Sequence, residues 1–465
     1  MSKAVQAAKS SQAQHATGRV APLRLALPLF FVALPAILFY AILTRDLVNI
    51  PFYDEYTAAL DFLNHLATIN GTFARAGYFQ AAQTNEYKLL LYHAFIWLEF
   101  SLTGHMDFAI LSIVGNGFVL FLGIVLWFMF LPGHKDLAAR ITFFIPVSWL
   151  LFQLQYWENL DWATAVNQHI AVLPLVFGAI YLLLCSGRGA FSFALLLLIL
   201  SVAADANGVL LFPIGATILI LGRHSKRLGA WLLTSAACVA FYAYHYTPRH
   251  EPPLINQAVA TNPHRFNPAY VLAFMGSGVS FPFFAASLVL GTLLCLFFGY
   301  LVRRGYVRRN PVVSWCLLFL LITAVGVAVL RSGFGIAQAA ASRYTIYSAL
   351  FLIFAWFAIV EEFLQNKPAS LFKNDILLCA VLLSISWSLS MDFLGGLQLG
   401  RRSHALTIAM RDYVHPASPG SQTGPSPPLL GLDVKTDPVT EAFNQKVRPI
   451  LDESIKLGVY HPPPL

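Results

Sequence analysis

Apolar runs of roughly twenty residues recur along this chain, separated by short polar links. The first covers about residues 24–44. Others cover about 106–131, 138–155, 161–184, 190–204, 208–222, 228–246, 280–302, 311–330, 344–363 and 375–393. A bilayer core ~30 Å thick takes about twenty residues at ~1.5 Å of helical rise each. The chain therefore reads as an all-α polytopic membrane protein with about eleven transmembrane helices. The runs 190–204 and 208–222 are short. They either span with help from neighbours or dip as a re-entrant pair, and both options leave the sidedness of later links unchanged. Composition excludes the soluble alternative: 57% of the 465 residues are hydrophobic, 11% are charged, and mean hydropathy is +0.65. A water-soluble surface needs more polarity than that.

The net charge of +8 would suggest a nucleic-acid partner in a soluble protein. Here the basic residues sit in short links between apolar runs, where they set topology instead. The segment Leu89–Gly104 decides the count, because it is apolar but short and carries His93 and Glu99. With it lying in the interface, sixteen basic residues fall on the N-terminal side of the membrane and seven on the other, up to residue 393. That asymmetry places the N-terminus in the cytoplasm and the C-terminus outside. Residues 1–22 read as a disordered cytoplasmic tail and 23–393 as the membrane domain, with 45–104 a first external loop bearing interfacial helices. The first run exceeds a signal-peptide core and lacks a small-x-small cleavage site, so it reads as a retained anchor. Residues 394–465 read as an external Pro-rich tail, with a stiff linker at 416–428 and an amphipathic helix at 438–457 that caps the outer face. The five cysteines lie in or beside apolar runs without a C-x-x-C pair, which points to neither a disulfide framework nor a thiolate metal site.

With this topology the acids gather on the external side. Asp54-Glu55 follows the first helix closely, and charge near a membrane boundary is costly enough to need a purpose. The plainer alternative for Asp54 is a helix N-cap. Asn85-Glu86-Tyr87-Lys88 opens the interfacial helix. Gln155-Tyr156-Trp157-Glu158-Asn159-Leu160-Asp161-Trp162 joins two helices, with Asn167, Gln168 and His169 just beyond. Arg331 and Ser342-Arg343-Tyr344 complete the set. Carboxylates suit deprotonation of a hydroxyl, and arginines suit a phosphate through fork-shaped donation. Tyr and Trp faces suit sugar rings, and equally an aromatic belt at the bilayer surface. Arg343 also fits a snorkelling anchor. His93 and His169 fit hydrogen-bonded helix residues better than metal ligands, and Asp205-Ala206-Asn207-Gly208 fits a tight turn.

An acidic pair in the first external loop, followed by interfacial helices, resembles the GT-C superfamily of membrane glycosyltransferases. These include protein mannosyltransferases, aminoarabinose transferases and arabinosyltransferases. The chain is similar, more narrowly, to bacterial members with an Asp-Glu pair, an Asn-Glu-His-Arg-like motif, a Glu-Asn-Leu-x-Trp segment, an Asn-Gly turn and a Ser-Arg-Tyr. The counterparts are Asp54-Glu55, Asn85-Glu86-Tyr87-Lys88, Glu158-Asn159-Leu160-Asp161-Trp162, Asn207-Gly208 and Ser342-Arg343-Tyr344. Tyr87-Lys88 departs from His-Arg, and Lys is a point charge rather than a fork. The resemblance implies a bacterial inner-membrane enzyme that moves a sugar from a polyprenyl-phosphate donor to an external glycan or lipid acceptor, with inversion. It implies Asp54 as base, with Glu55 and Glu86 orienting groups or sharing a divalent cation, on whose use relatives differ. Arg343, with Arg331 or Lys88, would receive the phosphate. Tyr156, Glu158, Asn159, Trp162, Gln168, His169 and Tyr344 would line the substrate site.

Two rival readings use the same features. A transporter or flippase of lipid-linked glycans keeps its ionisable groups near the midplane, often in two similar halves, whereas these acids lie at helix ends. An O-antigen ligase or polymerase relies on a large late external loop rich in Arg and His, whereas here the first loop is the long one. A purely structural partner protein leaves the acidic pair unused.

Overall fold

The structure is a computed structural model that describes residues 25–84, 87–131, 136–185, 187–247, 266–281, 283–364, 371–415 and 438–464. Its described residues form helices and no strands, as a chain in lipid must when every backbone group needs an internal partner. In chain order they are α1 (Leu25–Asp46), α2 (Phe62–Thr68), α3 (Thr72–Ala81), α4 (Leu90–Thr103), α5 (Phe108–Met129) and α6 (Leu137–Leu151). After an elbow come α7 (Val172–Leu184), α8 (Arg188–Ala204), α9 (Leu211–Leu221) and α10 (Ser225–Ala243). The rest are α11 (Pro268–Met275), α12 (Phe284–Arg303), α13 (Pro311–Arg331), α14 (Thr345–Ile359), α15 (Leu371–Val414) and α16 (Pro438–Lys456). Among the described residues, eight helical stretches are long and apolar enough to cross a membrane; α8 and the stretch Ala206–Leu221 are apolar but shorter.

Local chemistry sets where these helices begin. Asp107 accepts from the Ala109 and Ile110 amides at 2.8 and 3.2 Å to start α5. Asp136 starts α6 and Asn310 starts α13 in the same way, the latter with Pro311 in the first turn. Gly104, at φ 79°, ends α4 in the left-handed conformation that suits glycine. At fourteen residues α4 rises only about 21 Å, short of the hydrocarbon thickness.

Two apolar cores result. The larger holds the bundle together around α5, α6, α7 and α14. The smaller lies beneath the first loop, where Phe52, Tyr56, Leu63 and Tyr92 pack with Leu406, Met410, Val447, Leu451 and Tyr460 from the C-terminal segments. The C-terminal stretch therefore docks on the loop: Met106 N donates to Val459 O at 2.8 Å, and Tyr460 Oη donates to Asn49 O at 2.8 Å.

One boundary differs from expectation. The last long helix does not stop near 393 but runs 44 residues to Val414. Leu399, Leu406 and Met410 repeat at helical spacing and are buried, so the helix continues on one apolar face after hydropathy falls. Its contact with the 154–160 elbow is close. A Cβ on Gly395 would lie 2.2 Å from the Leu154 carbonyl oxygen. Gly395→Ala is therefore expected to push the helix off the elbow and destabilise the protein by about 1–3 kcal/mol. The check is a lower unfolding temperature in detergent; an unchanged temperature would show that the elbow yields freely.

Candidate active site

The acidic pair lies on an unusual piece of backbone. Tyr53 has φ 52°, a left-handed conformation that costs a bulky residue of order 1–3 kcal/mol and needs support. Rings supply that support. Phe443 of α16 stacks on Tyr53 at 6.0 Å and 7° interplanar, and Trp162 meets it edge-on at 5.6 Å. Next comes a π-helical turn, Tyr56–Asp61, and a second one, Val166–Ile170, carries Asn167, Gln168 and His169. Both departures from α geometry flank the same site, where π turns often occur.

The two carboxylates play different parts. Asp54 is half-buried, and its side chain does not cap the helix that follows. Instead Trp162 Nε1 donates to Asp54 Oδ1 at 3.0 Å across 108 residues of sequence. Burial pushes the Asp54 carboxyl up to about 6, against the opposing pull of the Trp162 indole and of His169. Glu55 is fully enclosed, with Oε2 accepting from Phe52 N at 2.7 Å and Oε1 from Thr164 N at 3.3 Å. Burial raises its carboxyl well above the usual range despite those amides. Glu55 thus pins the loop to the start of the 163–184 span, while Asp54 keeps an open side.

His169, whose charge acts on Asp54, belongs to a second polar group. His169 Nδ1 sits 3.0 Å from Asp205 Oδ2, and Asp205 Oδ1 accepts from Asn207 N at 2.7 Å. Asp205 is buried. Tyr270 is fully buried, and its hydroxyl lacks a hydrogen-bond partner among the described residues. Gln168 Nε2 and Asn159 Oδ1 are also buried without partners. Hydrogen-bonding capacity left unused inside a protein is costly.

The elbow and the start of the 342–364 span are locked together. Arg343 N donates to Glu158 Oε2 at 3.0 Å, Asn159 Nδ2 to Arg343 O at 2.9 Å, and Ser342 Oγ to Gln155 O at 2.8 Å. The Arg343 and Arg331 guanidiniums remain half-exposed over Tyr344 and Phe334 respectively. Asp161 pairs with Arg402 at 2.8 Å, and the Arg402 guanidinium lies 4.4 Å from the centres of both the Phe52 and Trp157 rings. Burial still raises the Asp161 carboxyl to about 6, with Arg402 pulling the other way.

Some expected residues are elsewhere. Tyr156 is a core residue: it has no exposed surface, packs on Phe39, and donates its hydroxyl to the Leu151 carbonyl, so it offers no face to a sugar. Lys88 is buried and donates Nζ to the Tyr244 carbonyl, which ties the loop to the end of α10 rather than presenting a cation to a phosphate. Glu86 lies outside the described residues. His93 is buried, 4.1 Å above the Phe62 ring, with its imidazole pushed down to about 4 by burial. Asp205, Tyr270 and Arg402 join the site without having been expected there; Asp205 fitted simple turn duty, and Arg402 lay beyond the assumed helix end.

Glu55 spends its oxygens on backbone amides, and among the described residues no three His, Cys, Asp or Glu side chains form a group able to hold a metal ion. No protein-family model, curated protein or solved structure matches this chain.

Proposed function

We propose that the protein is an integral membrane glycosyltransferase that moves a sugar from a polyprenyl-phosphate donor to an envelope glycan or lipid acceptor. About eleven helices would cross the membrane, 190–204 and 208–222 either spanning or dipping as a re-entrant pair, with the N-terminus in the cytoplasm of a bacterial cell and the acidic loop outside. The observation that carries the reading is Asp54: a half-buried carboxyl pushed up to about 6 by burial and held by the Trp162 indole, with Arg343 locked to the same elbow through Glu158 and Asn159. Asp54 takes the proton of the acceptor hydroxyl, and that oxygen attacks the anomeric carbon. The bond from that carbon to the phosphate oxygen breaks, and its electron pair leaves on the polyprenyl phosphate, whose charge Arg343 and Arg331 receive. Direct displacement inverts the anomeric centre. Trp162, Gln168, Asn159 and Tyr344 would contact the sugar and phosphate, while Glu55, Glu158 and Asp205 position the groups that do.

Envelope glycans and lipid-linked sugars, measured by mass spectrometry in strains making wild-type or Asp54→Asn protein at equal level, test the proposal. Loss of one decoration with the lipid-linked donor retained is the expected result. An intact glycan pool, with donor redistributed across the membrane, would point to transport.

A pH dependence follows with a definite sign. A base must be ionised, so transfer falls as pH drops through about 6. Trp162→Phe removes a hydrogen bond that favours the carboxylate, so the acid limb moves to higher pH. A limb that stays put in Trp162→Phe would assign the titration to another group.

A further inference from the structure

A second place is built for a ligand, at the opposite end of the bundle from Asp54. The sides follow from helix lengths. The Gly278 carbonyl just ahead of α12 accepts from Gln155 Nε2 at 2.6 Å, beside the acidic site, and α12 then runs twenty residues, about 30 Å, to Arg303. The link 304–310 therefore lies on the far face, and α13 returns from it to Arg331. Between α12 and α13, starting at this link, is an apolar cavity of about 390 Å³, lined by Val302, Val307, Trp315, Leu318, Leu321 and Cys295 among others. Val302, Val307, Leu318 and Leu321 are exposed on its rim, so it opens sideways toward where lipid would lie. Its size is that of a small-molecule site, roughly 300–1,000 Å³.

Arg303 and Arg308 adjoin the lining residues Val302 and Val307 in the chain, and Arg304 and Arg309 belong to the same link. Among the described residues, Glu361 and Glu362 of the 342–364 span reach this link. Those two acids are already engaged. Arg309 holds Glu362 through Nε at 2.9 Å and Nη2 at 2.7 Å, and Tyr306 Oη and Asn310 Nδ2 donate to Glu361 at 2.6 and 2.8 Å. Arg303, Arg304 and Arg308 are exposed and have no ion-pair partner among the described residues. An apolar slot whose lining adjoins three exposed arginines, unpaired among the described residues, complements one class of molecule, an amphiphile with an anionic head and a hydrocarbon tail.

We propose that this groove binds an anionic phospholipid of the adjacent leaflet, with one acyl chain between α12 and α13 and its phosphate on Arg303, Arg304 and Arg308. The bundle's length separates it from the phosphate-handling arginines of the acidic site. It is therefore a distinct lipid site, and it stands whether or not the protein transfers sugars.

The test is native mass spectrometry of the purified protein in mild detergent, with phosphatidylglycerol or phosphatidylcholine of identical acyl chains added. Wild type should retain phosphatidylglycerol at least about tenfold better, the scale of more than one arginine acting on a phosphate. In R303A/R304A/R308A that preference should vanish. Leu318→Trp, which fills the slot, should lower retention of both lipids while leaving the arginines in place. Equal retention of the two lipids by wild type would overturn the proposal, as would an unchanged preference in the triple-alanine protein. Displacement of phosphatidylglycerol by equimolar polyprenyl phosphate would also overturn it, by naming an isoprenoid lipid as the occupant.

Discussion

Replacing Asp54 by Asn is expected to lower transfer by about 10²–10⁴-fold, the usual range for a lost general base, while the protein stays folded. The fold should survive because the change keeps what holds the loop. The Asp54 carbonyl still accepts from the Thr57 and Ala58 amides at 3.0 and 2.7 Å, and a carboxamide oxygen can still accept from the Trp162 indole. Only the ability to take a proton is lost. Glu55→Gln makes the opposite prediction, although the residue is adjacent. Glu55 is enclosed and offers one oxygen to each of two backbone amides, and glutamine would set an NH2 donor against one of them, so its amide variant should lower the unfolding temperature, with transfer falling only as far as folded protein does. The assignment fails if Glu55→Gln abolishes transfer in a fully folded protein while Asp54→Asn does not. Mass spectrometry of the envelope glycans, with protein level and unfolding temperature measured in parallel, separates these outcomes.

That contrast marks how far the sequence could be read. Apolar periodicity located a helix at every run, because burial in lipid or core follows hydropathy along one dimension. The loops that carry acids and arginines were legible as a group for the same reason. Pairing was not legible. Asp54 with Trp162 and Asp161 with Arg402 join residues 108 and 241 positions apart, and nothing local signals either. Arg402 was hidden for a specific reason: hydropathy falls after residue 393, so the helix seemed complete, yet Leu399, Leu406 and Met410 carry its buried face onward. Tyr156 misled because a polar stretch does not reveal which of its rings turn inward. Its neighbour Trp157 meets Arg402, while Tyr156 itself closes the core against Phe39. Asp205-Ala206-Asn207-Gly208 does make a tight turn, with Asp205 accepting from Asn207 N, but its second oxygen serves His169. One residue performs both duties, and the turn alone was visible.

Arg402→Ala should have the largest effect on stability. The side chains of Arg402 and Asp161 are 7% and 9% exposed, so the substitution leaves a buried carboxyl without its cation, at a cost of about 3–5 kcal/mol. The guanidinium also lies between Phe52 and Trp157, rings two residues ahead of Asp54 and one ahead of Glu158, so it braces both arms of the site. Arg402→Lys keeps the charge but not the flat group that fits between two rings, and should recover only part of the loss. Arg402→Leu combined with Asp161→Asn removes both charges and keeps apolar bulk against the rings. If an orphaned carboxylate is the main cost, the double variant should unfold at a higher temperature than Arg402→Ala. Its transfer should still lag behind its stability, because leucine does not hold Phe52 and Trp157 at a common distance as a planar cation does. Equal unfolding temperatures for Arg402→Ala and wild type would show that the ion pair carries no weight, and that the aromatic contacts of Tyr53 with Phe443 and Trp162 suffice to aim Asp54.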